Sequence, residues 1–360
     1  MSNIQTADIG LGQTILRRAA ISPDQRALTF EGATQTFAEL GDRVRRMAAV
    51  LRAGGISAGD RVGYIGLNHP VFLEMLYACG CLGAVFVPLN FRLTGPEVRF
   101  IANDAGISAM VADDMLRPLI DSERDNLQCT RYITAEADAD NWEPLEPLMA
   151  AATGLEASEK VDADDVAFIM YTSGTTGLPK GAMLTHGNIF WNSINVCFGE
   201  DGLSGTTLTC APLFHIGGLN VTTLLSLGKG VEVVLLRSFD AGEVLSLIEK
   251  HQVTTMFGAP TMFLMMVQHE SFASTDLSSI ATLTCGGAPV PVPLIKTYGE
   301  RGINFCQGYG LTETAPFASL LASDLAMVKV GSAGKAPMFT EVRIVDKQNN
   351  PVAAGVHGEV

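Results

Sequence analysis

The chain has 360 residues, of which 47% are hydrophobic and 17% are charged, and its formal net charge is −14. This length exceeds a single typical core and predicts two or three subdomains, while the composition is typical of a compact globular protein rather than a disordered one. The acidic excess argues against a nucleic-acid partner, because contact with a phosphate backbone needs clustered Lys and Arg. A small polyanion such as a nucleotide fits better than a polymer.

Strand and helix patterns alternate over the first hundred residues. A capping box, in which a hydroxyl and a glutamate three positions later satisfy free backbone groups, predicts helices over 36–53 and 94–103. The run 84–89 is apolar on both faces, as a central parallel strand is. Residues 116–165 are rich in acidic residues, Pro and Ala, and predict a surface excursion with one weak strand near Tyr132. This rhythm implies a largely parallel sheet with right-handed crossovers.

The same rhythm returns after residue 188 and continues to about residue 306, whereas the last thirty residues include a stretch that alternates like a half-exposed strand. The predicted fold class is therefore α/β, with two doubly wound, largely parallel sheet subdomains at 1–165 and 166–330. A small β subdomain, the start of a β-barrel, would occupy 331–360. The chain stops within what looks like a strand, so we expect it to be a truncated form of a longer protein.

Several features predict a cytoplasmic protein without an integral membrane segment. The first ten residues have neither a basic start nor an apolar core, so no signal peptide is expected. No apolar run approaches the roughly 20 residues that span a bilayer. The seven cysteines show no metal-binding spacing, and we interpret them as reduced, buried thiols.

The stretch Tyr171–Gly181 holds four Ser or Thr hydroxyls, three glycines and one lysine directly after the apolar run Val166–Met170. Glycines let backbone N–H groups approach an anion, and the hydroxyls and the lysine add donors and charge, so this order predicts a strand followed by a phosphate-binding loop. The stretch lacks the Gly-Lys-Ser/Thr ending of the Walker A loop and the G-x-G-x-x-G spacing of dinucleotide folds. A glycine-rich turn with Lys180 on the surface is the alternative.

Two later stretches follow predicted strands, which is where a doubly wound sheet places its ligands. Cys285–Pro289 consists of small residues that leave a flat slot suited to a purine ring, and a tight strand-to-helix turn is the alternative. Gln307–Thr314 follows the next strand. Within it, Tyr309 offers a stacking face and Thr312 a hydroxyl. Glu313 offers a carboxylate for Mg²⁺, unless it is only an acidic residue at a helix start.

His215 lies within the stretch Ala211–Gly218, where a polar side chain is set among apolar residues between a strand and a loop. A lone histidine of this kind is more often structural than catalytic. The other five histidines show no comparable setting. From the residues alone, both interpretations of His215 stay open.

Together these stretches (171–181, 211–218, 286–289 and 307–313) resemble the ordered signature blocks of the AMP-forming acyl-CoA synthetases, which belong to the adenylate-forming superfamily. The resemblance extends from about residue 26 to the C-terminus. It implies a large N-terminal domain of two doubly wound subdomains and a small barrel, followed by a mobile C-terminal lid domain. The ribose-binding aspartate, the hinge residue and the catalytic lysine of that family would lie beyond residue 360, so the lid domain is expected to be absent here.

The resemblance also implies a role for each candidate residue. Thr172 and Glu313 would hold Mg²⁺. The expected catalytic residues are Thr172, Lys180, His215 and Glu313. The expected acyl-pocket residues are Phe214, His215 and Gly310. The residues expected to bind the nucleotide are Thr172, Ser173, Gly174, Thr175, Thr176, Gly177 and Lys180 at the phosphates, and Gly287, Ala288, Pro289, Gly308, Tyr309, Gly310, Thr312 and Glu313 towards the adenine and the α-phosphate.

The implied reaction converts a carboxylic acid and ATP into an acyl-adenylate and pyrophosphate, and then transfers the acyl group to coenzyme A. No charged residue marks the pocket stretches, so we expect an apolar acid: first a medium- or long-chain fatty acid, second an aromatic acid of the cinnamate or ferulate type. Without a lid, the chain itself is expected to bind ATP weakly and to be nearly inactive. A non-catalytic nucleotide-binding fragment is the competing interpretation, and a homodimer stays open as an assembly.

Overall fold

Within residues 8–173, 177–199, 204–303 and 305–360, which the computed structural model describes, two β-sheets of seven and eight strands form the frame of the molecule. The strands are β1 (Arg26–Phe30), β2 (Ala33–Thr36), β3 (Arg61–Ile65), β4 (Val85–Leu89), β5 (Ile107–Ala112), β6 (Arg131–Thr134), β7 (Glu143–Pro144), β8 (Val166–Thr172), β9 (Lys180–Thr185), β10 (Thr206–Thr209), β11 (Glu232–Leu235), β12 (Thr255–Gly258), β13 (Thr282–Gly286), β14 (Phe305–Gly310) and β15 (Phe317–Leu321).

Helices connect most of these strands, as expected for an α/β fold. The helices are α1 (Leu11–Ile21), α2 (Phe37–Ala53), α3 (Pro70–Leu82), α4 (Gly95–Ala105), α5 (Arg117–Glu123), α6 (Leu145–Ala151), α7 (His186–Gly199), α8 (Ile216–Gly218), α9 (Leu224–Lys229), α10 (Ala241–His251), α11 (Pro260–Gln268) and α12 (Val292–Gly299). A π-helical turn, Leu219–Thr223, joins α8 to α9.

The two sheets are largely parallel, which confirms the predicted fold class. The first has the order β7-β6-β5-β3-β4-β8-β9, and its edge strand β9 runs antiparallel to β8. The second has the order β15-β14-β13-β12-β10-β11-β1-β2, with antiparallel pairs at both edges. Because the carboxyl ends of parallel strands meet at one edge of a sheet, ligands are expected in the crevice there.

Sheet membership crosses the subdomain boundary predicted at residue 165. The strands β8 and β9 complete the first sheet, while β1 and β2, from the N-terminal part of the chain, form an edge of the second. Each sheet therefore takes strands from both sides of that boundary. The division into units at 1–165, 166–330 and 331–360 stays a prediction.

Local sequence signals account for where two helices begin. The Thr36 N–H donates to the Glu39 carboxylate at 2.7 Å, and the Glu39 N–H donates to the Thr36 hydroxyl at 3.2 Å, which confirms the capping box of α2. At the start of α4, the Thr94 N–H donates to the Glu97 carboxylate at 2.8 Å. These contacts satisfy backbone donors that a helix start leaves free.

Helix α3 connects the two sheets through a shared core. All of its residues are buried. The apolar cluster around it includes Val62 and Phe86 of the first sheet and Leu28 and Val233 of the second. Since burial of apolar surface is the main favourable term in folding, this cluster holds the sheets in a fixed relation.

The interpretation of 116–165 as a surface excursion is wrong in part. Strand β6 pairs in parallel with β5, and the side chains of Tyr132 and Trp142 are buried. Strand β6 is only four residues long and holds just two apolar residues, Tyr132 and Ile133, so the local pattern underestimates a strand that pairing with β5 stabilises.

The C-terminal segment and the strand β14 also differ from expectation. Residues Gln307–Gly310 are the last four residues of β14 instead of a loop that follows it. Within the part of the chain that the structure describes, 331–360 shows no closed barrel, and its pairing is limited to isolated bridges such as Val345 to Pro351 and Val345 to Glu359.

Among the helices that the structure describes, none combines the length and the apolar character needed to cross a membrane. No disulfide joins the cysteines of the described residues, and Cys197 is exposed whereas the other six are buried.

Candidate active site

The predicted phosphate loop is the turn of the hairpin formed by β8 and β9. Thr172 pairs with Lys180 across the hairpin, and Ser173 and Gly177 of the intervening loop are exposed. Strand β9 was not predicted, because its sequence mixes polar and apolar residues as an exposed edge strand does. Gly177 has a φ of +96°, so the turn itself requires a glycine there. Three further predicted loop residues lie outside the described residues: Gly174, Thr175 and Thr176.

The two side chains predicted to hold Mg²⁺ lie side by side. The Thr172 hydroxyl donates to Glu313 Oε1 at 3.2 Å. Glu313 is exposed on the short 3₁₀ turn Thr312–Thr314, which directly follows β14 and Leu311. The structure therefore brings together two residues that the sequence separates widely.

This pair fits a magnesium ion that is bound mainly through phosphates. Mg²⁺ in nucleotide sites usually takes one or two carboxylates and fills its other positions with phosphate oxygens and water. Across the described ranges, no cluster of three or more His, Cys, Asp or Glu could hold a metal by itself. The roles of Thr172 and Glu313 as ligands stay predictions.

A cavity of about 630 Å³ opens beside this pair, between segments that belong to both sheets, and we call it the hairpin cavity. Residues from three of the predicted stretches line it: Thr172, Ser173, Gly177, Phe214, His215 and Thr312. The other lining residues come from the end of β4, from α4 and from the hairpin: Pro88, Leu89, Asn90, Leu93, Pro96, Glu97, Phe100, Ile101, Met170, Tyr171, Leu178 and Pro179. Lys180 is exposed at the start of β9 and is not part of this lining.

One wall of the hairpin cavity is aromatic. The rings of Phe214 and His215 lie 4.2 Å apart, and Phe91 packs edge-on against Phe214 with 5.3 Å between ring centroids. Removal of the imidazole from water by its neighbours, together with the positive charge of Arg92, lowers the pKa of His215 below its ordinary value. His215 is therefore neutral at neutral pH and offers one N–H donor and one lone pair.

A second cavity, of about 420 Å³, lies against the ends of β13 and β14, and we call it the glycine cavity. Its lining contains the residues predicted to border the adenine and the strand residues beside them: Gly287, Ala288, Pro289, Gly308, Tyr309 and Gly310. The Tyr309 ring is partly exposed, as a stacking platform must be. Cys285, Val290, Gln307, Leu311 and 331–333 complete the lining.

Three glycines that line the glycine cavity are required for different reasons. A Cβ on Gly308 would overlap the Phe317 ring, and a Cβ on Gly310 would overlap the Pro316 carbonyl, so packing within the β14–β15 hairpin requires both. Gly287 instead has a φ of +84° and open space where a Cβ would lie. Of these three glycines, Gly287 is the one whose missing side chain leaves room for a ligand.

Sequence reasoning missed several residues of the site. Asn90 and Phe91 directly follow β4, so the rule that ligands bind at the carboxyl ends of strands could have found them. Residues 331–333 reach the glycine cavity from a later segment, which was not predicted to have a role in the site.

Comparison with known proteins identifies the family. The sequence matches the AMP-binding enzymes over residues 15–360. The chain belongs to the AMP-binding enzyme family. This confirms the family that the four signature stretches predict.

Relatives of this AMP-binding enzyme include acid–CoA ligases with different acids in their names. It is 44% identical over 352 residues to a feruloyl-CoA synthase of Amycolatopsis sp, which covers 98% of the chain and 69% of that protein. It is 37% identical over 343 residues to the long-chain-fatty-acid–CoA ligase FadD13 of Mycobacterium tuberculosis, which covers 93% of the chain and 66% of that protein.

A solved structure supports the fold. The inhibitor-bound crystal structure of the N-terminal domain of FACL13 from Mycobacterium tuberculosis matches with a TM-score of 0.87 and 34% identity, over 95% of this chain and 86% of that one. The two-sheet architecture of this AMP-binding enzyme is thus shared with that domain.

Proposed function

We propose that the site activates a carboxylic acid with ATP and passes the acyl group to coenzyme A. The observation that carries the proposal is the hairpin cavity, around which Thr172, His215 and Thr312 meet from distant parts of the chain. Membership of the AMP-binding enzymes and the names of the two relatives support the same reaction class.

The chemistry explains why both an acid and a nucleotide need to be held together. A carboxylate is a poor electrophile, because attack on it would have to expel oxide. In the first step a carboxylate oxygen attacks the α-phosphorus of ATP, an O–P bond forms, and the bond to pyrophosphate breaks. In the second step the thiolate of coenzyme A attacks the acyl carbon, a C–S bond forms, and AMP leaves with its oxygen. Neither step changes an oxidation state.

The chain's own residues act mainly by positioning in this proposal. Ser173 and Thr312 line one cavity, and their hydroxyls would donate to phosphate oxygens, while the Thr172 hydroxyl donates to Glu313. Neutral His215 donates one N–H to the acid without forming an ion pair, so the carboxylate keeps its nucleophilic lone pairs. Holding the two reactants in contact removes much of the entropic cost of their encounter.

Glu313 and Thr172 would hold a magnesium ion at the edge of the same cavity. The ion would supply positive charge that offsets the charge developing on the phosphates. Lys180 would add charge from the base of the hairpin.

We further propose that the acid is aromatic, of the ferulate type. This reverses the order expected from the sequence, in which a fatty acid came first. The support is the 44% identity to a feruloyl-CoA synthase over 98% of the chain. A medium- or long-chain fatty acid is the second candidate, favoured by the 37% identity to a long-chain-fatty-acid–CoA ligase.

Two non-hydrolysable acyl-adenylate analogues test both parts of the proposal, because binding does not require turnover. The analogues are the sulfamoyl adenosines of ferulic acid and of dodecanoic acid, measured by calorimetry on the 360-residue chain. The feruloyl analogue should bind at least tenfold more tightly, a difference of about 1.4 kcal/mol. Tighter binding of the dodecanoyl analogue would contradict the aromatic assignment. No binding of either analogue at millimolar concentration would contradict acid activation altogether.

A further inference from the structure

A buried asparagine just after β3 of the first sheet holds the segment that carries His215. Asn68 follows β3 and is only 3% exposed. Its Nδ2 donates to the Ala211 carbonyl at 3.1 Å and to the Leu236 carbonyl at 3.0 Å. Its Oδ1 accepts from the Leu213 N–H at 2.8 Å. Both donors and the acceptor of the amide are therefore used, and this set of partners permits only one orientation of the amide.

These contacts lie where the paired strands β10 and β11 of the second sheet separate. The last hydrogen bond between the two strands joins the Leu236 N–H to the Thr209 carbonyl at 2.9 Å. Beyond it the carbonyls of Ala211 and Leu236 have no partner on the opposite strand, and Asn68 supplies one to each. The Asn68 N–H also donates to the Arg237 carbonyl at 3.1 Å. Buried carbonyls without partners are costly, so this point of separation depends on the asparagine.

The segment that Asn68 holds leads directly into the wall of the hairpin cavity. Leu213 is buried, and the next two residues are Phe214 and His215. Phe91, which lies two residues after β4 of the first sheet, packs against Phe214 with 5.3 Å between ring centroids. This segment is thus attached to the first sheet at two points. Asn68 contacts its backbone, and Phe91 contacts the side chain of Phe214.

We propose that Asn68 is a positioning residue of the acid-activating site: its amide fixes the segment 211–215, and with it the distance between His215 and the β8–β9 hairpin. The inference rests on the proposed function in one respect, namely that His215 meets the acid. Asn68 itself touches neither substrate.

A pair of asparagine substitutions separates positioning from general stability. Asn68→Ser removes both N–H donors, and Asn68→Asp keeps the size and the acceptor but turns a carboxylate towards two carbonyls. The matched control is Asn195, which is 5% exposed and bridges α7 to the backbone of Phe339 at 2.8 Å and to the Thr340 hydroxyl at 3.0 Å. Neither Asn195 nor these partners line the hairpin or the glycine cavity.

The expected result is a selective loss of acyl-adenylate binding. Asn68→Ser should bind the feruloyl sulfamoyl adenosine at least tenfold more weakly, while its affinity for ATP changes less than threefold, because the nucleotide contacts lie on the hairpin and in the glycine cavity. Asn195→Ser should change both affinities less than twofold. By NMR, the pKa of His215 in Asn68→Ser should lie closer to that of an ordinary histidine, because release of the segment exposes the ring to water. The proposal is overturned if folded Asn68→Ser binds the analogue within twofold of wild type and its His215 titration is unchanged.

Hydrogen exchange on the unaltered protein tests the role of Asn68 if both Asn68 variants fail to fold. The side-chain amide protons of Asn68 and the backbone amide of Leu213 should exchange with solvent at least a hundredfold more slowly than exposed amides. Fast exchange at these positions would refute the proposal that Asn68 fixes the segment 211–215. If wild type binds no acyl-adenylate analogue, the proposed function fails, and the His215 titration still decides whether Asn68 fixes the segment.

Discussion

At the scale of single residues, the site depends on polar side chains whose partners come from distant segments. Thr172 meets Glu313 at 3.2 Å, and Asn68 meets Leu213 at 2.8 Å. Each pair joins a residue of the first sheet region to a residue of the second. Because Glu313 is exposed, a substitution there should affect ligand binding more than stability, whereas a substitution of the buried Asn68 should affect both.

Removal of the Glu313 charge should weaken the magnesium-dependent part of ATP binding. Glu313→Gln keeps an oxygen that accepts from Thr172 but loses the carboxylate. We expect the affinity for ATP with Mg²⁺ to fall at least tenfold. The affinity for metal-free ATP should stay the same or rise, because a negative charge near the phosphates is gone. Calorimetry with and without Mg²⁺ measures both, and the exposed Glu300→Gln serves as control. An unchanged effect of Mg²⁺ in Glu313→Gln would count against this ligand assignment.

Gly287 and Gly55 form a matched pair of glycines for a second test. Both have positive φ, +84° and +89°, and both have open space where a Cβ would lie, but only Gly287 lines a cavity of the site. Alanine at either position should cost about 1 kcal/mol of unfolding free energy, from left-handed backbone strain. Gly287→Ala should in addition weaken nucleotide binding at least fivefold, and Gly55→Ala should not. Equal nucleotide affinities would show that the glycine cavity does not receive the nucleotide.

At the scale of elements, the sequence predicts those structures that local chemistry determines. Capping boxes place the starts of α2 and α4, and the apolar run of β4 places a central strand. Strand β6 was underestimated because it is short and depends on pairing with β5, and strand β9 was missed because its sequence mixes polar and apolar residues. The strand before the 3₁₀ turn Thr312–Thr314 was predicted to end too early.

The N-cap of α3 predicts a pH dependence of stability. His69 Nδ1 accepts from the Val71 N–H at 3.2 Å, and its ring packs on Phe30. Burial is the main cause that lowers the pKa of His69 to about 4. The nearby carboxylate of Glu136 opposes this shift, and the positive charge of Arg237 adds to it. The unfolded chain therefore binds a proton more readily than the folded one, so the free energy of unfolding decreases as the pH falls below about 6.5.

His69→Asn isolates this effect, because asparagine caps a helix but does not titrate. Between pH 7 and pH 5, wild type should lose about 2 kcal/mol more unfolding free energy than His69→Asn does. Denaturant unfolding at several pH values measures the difference. Parallel stability curves for the two proteins would show that His69 does not cause the loss.

At the scale of the whole molecule, the site forms because strands are exchanged between the two sheets. Strand β1 pairs with β11, and strand β8 pairs with β4. In both pairs a long stretch of chain separates the two strands. No local pattern encodes such pairings, so the sequence predicts two parallel sheets but not which strands each contains. For the same reason it predicts Thr172, His215 and Thr312 as separate candidates. Only the fold places them around one cavity.

The central claim is that separate segments of both sheets form one acid-activating site. Amide hydrogen exchange by mass spectrometry, with and without saturating feruloyl sulfamoyl adenosine, tests it most directly. We expect slower exchange together in peptides covering 171–181, 211–218 and 285–290. Binding that leaves these three segments unchanged, or that slows exchange only elsewhere in the chain, would contradict it.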